Sequence, residues 1–251
     1  GTYGGGLYHE SEEALTLTEC TFENNFAEIR GGGIHTENGG LTVTDSSFTG
    51  NAAESRGGGI ATDGGWLNIE GSNFTANSSG YDGGAIDLQG STALITECLF
   101  TGNHTDRSGG AIYNDSDDAT LDDCIFTANL SRDGGAIMNN SGTVTTMNEC
   151  VFSNNIAEED GGGIHNYRNQ ATITNCTFTA NASGDTGGGM WIESNGITVL
   201  TSSFIENESI QGGGMHITDS SLTIEACTFT GNTAIAGGGL FSELSILPMI
   251  S

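Results

Sequence analysis

The residues of this chain best suited to chemistry arrive at a fixed beat. Tyr8, His35, Tyr113, His165, Trp191, His216 and Phe241 each directly follow a run of the form Gly-Gly-(Gly or Ala)-(Ile, Leu or Met), with Ala61, Asp87 and Met138 interrupting the series. An aromatic or imidazole ring facing outward from a strand can stack on a sugar or anchor a protein partner. His35, Tyr113, His165, Trp191, His216 and Phe241 are therefore expected to form an exposed binding face, although strands also attract aromatics on propensity alone. Carboxylates gather at two further places. Glu19, Asp45, Glu97, Asp123 and Glu149 stand three residues before a recurring Phe, and Glu54, Asp82, Asp106, Asp133, Glu158, Glu159, Asp160 and Asp185 stand just before the glycines. Like charges repeated at one position repel unless screened or bridged, so Ca2+ held by Glu97, Asp123, Glu149, Asp133 and Asp160 is chemically reasonable. No EF-hand loop or Gly-Gly-x-Gly-x-Asp repeat is present, and a solvated acidic surface explains the same residues. No cofactor is required.

Catalysis is harder to place. Polysaccharide-acting enzymes on repetitive β folds need a basic residue beside two or three carboxylates at a break in the repeat. This chain has no Lys and only five Arg. The nearest constellations, Asp106-Arg107 and Arg132-Asp133, could equally be surface ion pairs. No catalytic residue is assigned, and a polysaccharide lyase or glycoside hydrolase remains the alternative. The six cysteines, Cys20, Cys98, Cys124, Cys150, Cys176 and Cys227, all lie two residues before the motif Phe, where other repeats carry Ser46, Ser72 and Ser202. Without any Cys-x-x-Cys this reads as a small inward position bearing free thiols, not a metal site.

The elements that position these residues follow from the period. Glycine runs begin at Gly4, Gly31, Gly57, Gly83, Gly109, Gly134, Gly161, Gly187, Gly212 and Gly237. Phe-x-x-Asn keeps the same beat from Phe22 to Phe229. Two landmarks locked at about 26 residues indicate a solenoid. Between them Leu41-Thr42-Val43-Thr44 alternates strictly, sending Leu41 and Val43 inward, and most other repeats copy the pair; Thr145/Met147 weakens it. Short strands separated by turns cannot bury their apolar face alone, but stacking at ~4.8 Å builds a continuous column. The expected fold is all-β, a right-handed parallel β-helix of about ten coils and ~26 residues per coil, forming a rod ~45 Å long. A leucine-rich solenoid would need more leucine at fixed offsets.

Three strands per coil are expected, with a core stack of Phe and a ladder of Asn from Asn25 to Asn232 satisfying turn amides. Outward threonines of the second strand, from Thr16 to Thr223, suggest ice binding, but the neighbouring row from Thr18 to Glu225 is too ragged. Histidines two coils apart, at ~9.6 Å, cannot share a metal ion.

Thirty-two Asp and Glu against five Arg leave a formal charge of −27. Such a surface repels phosphate backbones and anionic headgroups, so nucleic acid is excluded as a partner. No apolar run is long enough for direct membrane insertion. Residues 1–251 are read as a single domain.

Gly83-Gly84-Ala85-Ile86, Gly109-Gly110-Ala111-Ile112 and Gly134-Gly135-Ala136-Ile137, together with nine Phe-x-x-Asn copies, resemble the repeat of chlamydial polymorphic outer membrane proteins and related bacterial surface β-helix proteins. The other glycine runs carry Gly where that family favours Ala. The resemblance implies an exported passenger at the cell surface or outside it, serving adhesion. The expected function is accordingly a non-catalytic extracellular scaffold, structural or adhesive, with a glycan or surface protein as partner. Its terminal coils would need covering. The residues are expected to be a segment of a longer exported protein, or to stack end to end into a filament, with the apolar stretch Leu244 to Ile250 as a partial plug.

Overall fold

The computed structural model describes residues 1–243 apart from 117, 141, 195 and 219–221. The stretch read as a plug therefore lies outside the described residues. Among the described residues every regular element is a strand, and every strand pairs in parallel with its equivalents one coil away. One coil contains Ile34–Glu37, Gly40–Thr44, Ser47–Thr49 and Ala52–Ala53. Stacked, these make sheets of ten, nine, nine and seven strands. The chain is a right-handed parallel β-helix, with nine full turns among the described residues and a further strand, Leu240–Glu243, after the tenth glycine run. Seven turns carry four strands instead of the three expected, because the residues after Asn25 to Asn181 pair across coils as a two-residue strand too short to leave an alternating pattern; after Asn207 and Asn232 only single bridges form.

The core follows from the repeat. Leu41 and Val43 are fully buried, and Phe48 lies between Phe22 and Phe74 in register. Ring centroids along the Phe column are 4.7 to 5.0 Å apart, with planes tilted by only 1° to 8°. Stacked side chains of this kind hold a sheet flat against its natural twist. Beside it runs the asparagine ladder. The backbone N–H and Nδ2 of Asn51 both donate to Oδ1 of Asn77, at 3.1 and 3.0 Å, while Nδ2 also donates to the carbonyl of Phe22 at 2.9 Å. The pattern repeats to Asn232 and supplies partners for amides that burial would otherwise orphan.

The Cys/Ser row does more than save space. Cys20 and Ser46 each donate a backbone N–H to the hydroxyl of the next coil, Ser46 and Ser72, at 3.0 Å. Hydroxyl or thiol then donates to the carbonyl two residues back, as in Ser46 to Thr44 at 2.8 Å and Cys98 to Thr96 at 3.1 Å. All six cysteines are free thiols.

The weak inward pair also has a cause. In the first sheet Asn114, Asn139 and Asn166 point into the core and are buried. Asn114 donates to Asn139 at 3.0 Å and Asn139 to Asn166 at 2.7 Å. Thr145 stands opposite, accepting from Asn114 at 3.0 Å and donating to Asn139 at 3.3 Å. An apolar residue at 145 would leave these buried amides short of partners.

Candidate functional site

The candidate binding face is not an exposed one. His35, His165, Trp191 and His216 do point away from the central core, yet their exposures are 1 %, 8 %, 9 % and 4 %, and Tyr113 and Phe241 are half-buried. The reason lies in the first glycine of each run. Gly31 has φ 66°, and a Cβ there would meet the Ile34 carbonyl at 2.2 Å, so the chain doubles back tightly over its own strand. The residue before that glycine becomes a roof. Tyr3, Arg30, Arg56, Asp82, Ser108 and Asp133 pair coil to coil through single parallel bridges and cover the row beneath. Strict alternation at the sequence level cannot reveal this, since it assumes that one side of each strand faces water.

Under the roof the rings serve one another. His35 packs against both Tyr3 and Tyr8 at 5.3 and 5.5 Å, the two tyrosine rings lying 6.1 Å from each other, with Nε2 3.0 Å from Glu37. His165 packs on Trp191 at 4.1 Å, and His216 on Phe241 at 5.2 Å. His165 Nδ1 is 3.9 Å from Asp133 Oδ1. Burial pushes His165 down to about 3 and lowers His35 and His216, so these imidazoles are neutral at pH 7. The same layer raises acids. Burial lifts Asp133 to about 6, with Glu159 and Asp160 adding repulsion. It lifts Asp87, which sequence reading passes over as an interruption, to about 7. Asp87 is fully buried, and only Oδ1 has a partner, accepting from Gln89 Nε2 at 3.0 Å.

The five carboxylates considered for Ca2+ do not converge. Glu97, Asp123 and Glu149 are exposed at the corner between the second and third sheets, where φ is 49° to 54°. Asp133 and Asp160 belong to the roof between the fourth and first sheets. Among the described residues no group of three or more His, Cys, Asp or Glu is placed to hold a metal ion. The ion-pair candidates separate likewise. Arg132 pairs with Glu159 at 2.9 Å, Asp106 with His104 at 3.2 Å, and Arg107 lies over Tyr81 at 5.6 Å.

Concave surface is modest. A hollow of about 430 Å3 opens at the turn into the second sheet, lined by Val144, Arg168, Asn169, Gln170 and Glu193 among others. A second of about 570 Å3 lies among Ile156, Ile210 and Ile235 with Glu208, and a third of about 190 Å3 beside Leu94 and Glu70. Each holds a single carboxylate. The outward residues of the third sheet flank each Phe. Of these eighteen positions, from Thr21 and Glu23 to Thr228 and Thr230, only Glu23 is charged, and Thr or Ser fills most. In the sequence these rows are hidden, because Phe-centred triplets read as core.

Rod, ladders and register define a right-handed β-helix, and comparison by sequence agrees. The chain matches the family model described as a right handed beta helix region over residues 5–178 and, in an overlapping register, over 84–245. It belongs to the right-handed β-helix family. No curated protein and no solved structure matches it.

Proposed function

We propose that the chain is a non-catalytic, exported scaffold of the cell surface or extracellular space, structural or adhesive, that offers its outer faces to a glycan or surface protein. The observation carrying this reading is continuity. The Asn ladder and Phe stack run through every full turn without a break, and no described hollow gathers the two carboxylates that glycoside hydrolysis uses. The resemblance to chlamydial surface repeats supports export and adhesion. The revised presenting surface is the outside of the second and third sheets, since the histidine row is roofed. Coils also stack through backbone groups that another copy could continue, so end-to-end association into a filament belongs to the same reading. Incubation with a panel of plant, algal and bacterial polysaccharides tests it: binding without new reducing ends or unsaturated products is expected, and turnover of any of them would make the protein an enzyme.

A second reading is favoured by one observation. The third sheet presents two hydroxyl-rich rows, charged only at Glu23, at a coil spacing of ~4.8 Å and a same-face spacing of ~7 Å, over the stacked Phe column. Such a lattice could order water as an ice face does. Thermal hysteresis of a freezing solution, abolished by Thr101→Lys with Thr127→Lys, would establish it; none in the parent chain would remove it.

A further inference from the structure

We propose that the hollow at the turn into the second sheet binds a neutral sugar unit through Arg168, Asn169, Gln170 and Glu193. This deepens the scaffold reading above by naming a site and a ligand class. Its volume of about 430 Å3 is of the size that small-molecule sites occupy.

The first sign is an unanswered polar group. Asn169 lines the hollow and is only 3 % exposed, yet its Oδ1 has no hydrogen-bond donor. Its Nδ2 donates to Asn166 Oδ1 at 3.3 Å. Asn169 is thus the outer end of the internal network that begins at Asn114. Leaving a buried carbonyl oxygen unpaired costs about 1–3 kcal/mol, which a donating hydroxyl would recover. The second sign is Arg168. It stands at φ 49°, in the left-handed turn that Asn38, Gly64 and Gly90 also adopt at the same corner of other coils, and its side chain is fixed from two sides. Its guanidinium lies 4.8 Å over the Tyr167 ring, and Nε donates to Glu193 Oε1 at 3.2 Å. The side chain, 64 % exposed, is held in place with its terminal nitrogens toward solvent.

The chemistry of this set selects the ligand. An anion would meet Glu193 and a chain of formal charge −27, while a cation would meet Arg168 and find only one carboxylate, already paired. A sugar hydroxyl donates and accepts at once. Neighbouring hydroxyls can accept from the guanidinium and donate to the carboxylate, Gln170 can do either, and a third can donate to Asn169 Oδ1. Val144, 43 % exposed, offers an aliphatic wall for the C–H face of the ring.

The test uses the whole chain and a panel of neutral gluco-, manno- and galacto-oligosaccharides, with polygalacturonate as the acidic control. Calorimetry and amide shifts should show millimolar binding of one neutral series, with shifts centred on residues 142–144 and 168–170. Arg168→Gly keeps the backbone conformation while removing the fork, and Glu193→Gln removes the charge. Each should weaken binding roughly tenfold or more without changing thermal unfolding. No binding by any neutral series, binding of the acidic polymer alone, or binding indifferent to both substitutions would overturn the site and leave the scaffold reading standing. Turnover of a bound sugar would do the reverse.

Discussion

Asp87 is where pH should act most visibly on stability. Burial raises its pKa in the folded chain to about 7, above the ordinary carboxylate value near 4, so the folded state holds a proton that the unfolded state has released. The cost of folding with Asp87 ionised therefore grows as pH rises from about 4 to about 7 and stays at its full size above that. Asp87→Asn should remove this slope and raise stability at pH 8 by a few kcal/mol, on the order of 3, measured by urea unfolding at pH 5 and pH 8. Lower stability of the variant at pH 8 would mean that Asp87 is ionised and paired with Arg56. His165 works in the opposite sense. Its folded pKa of about 3 lies below the unfolded value near 6.5, so its contribution is lost as pH falls through that interval. At this scale the sequence was a poor guide. It located the row containing His35, Asp87 and Trp191 but not its burial, because a roof made by the residue before a left-handed glycine leaves no mark on the alternation of the strand beneath.

The ladder is the element that a substitution should damage most. Asn129→Ala removes the acceptor for the Asn103 backbone N–H and Nδ2 and the donor to the Phe100 carbonyl, all buried. With several groups orphaned together, a loss of about 3 kcal/mol or more is expected in chemical denaturation. A loss under about 1 kcal/mol would show that water replaces the side chain. The Cys/Ser row makes a sharper comparison. Cys124→Ser keeps an acceptor and a donor to the Asp122 carbonyl and should cost no more than about 1 kcal/mol, whereas Cys124→Val forfeits both and should cost about 2. Equal costs would reduce the row to a matter of volume. Phe, Asn and the inward pairs were legible from the repeat because each occupies one position in every coil. Thr145 was not, since its reason lies in Asn114 and Asn139, which belong to different coils and a different strand.

Over the whole molecule the uniform sign of charge should matter more than any pair. Carboxylates recurring coil after coil repel along the rod, and salt screens that repulsion. The thermal midpoint should therefore climb by several degrees between roughly 10 and 500 mM NaCl. At matched ionic strength CaCl2 should add no more than MgCl2; a specific rise with Ca2+ would reveal a site formed by fewer protein ligands than three. The fold class, handedness and period were readable at this scale because repetition averages out local ambiguity. The asparagine ladder carries one further consequence. Every link runs the same way: each amide gives its hydrogens to the oxygen of the following coil, from the Asn25–Asn51 step to the Asn207–Asn232 step. Aligned amides polarise one another, so the column is an electrical arrow buried in the rod, negative toward the first coil and positive toward the last. Any array built by continuing it would have unlike ends and could lengthen at different speeds from each.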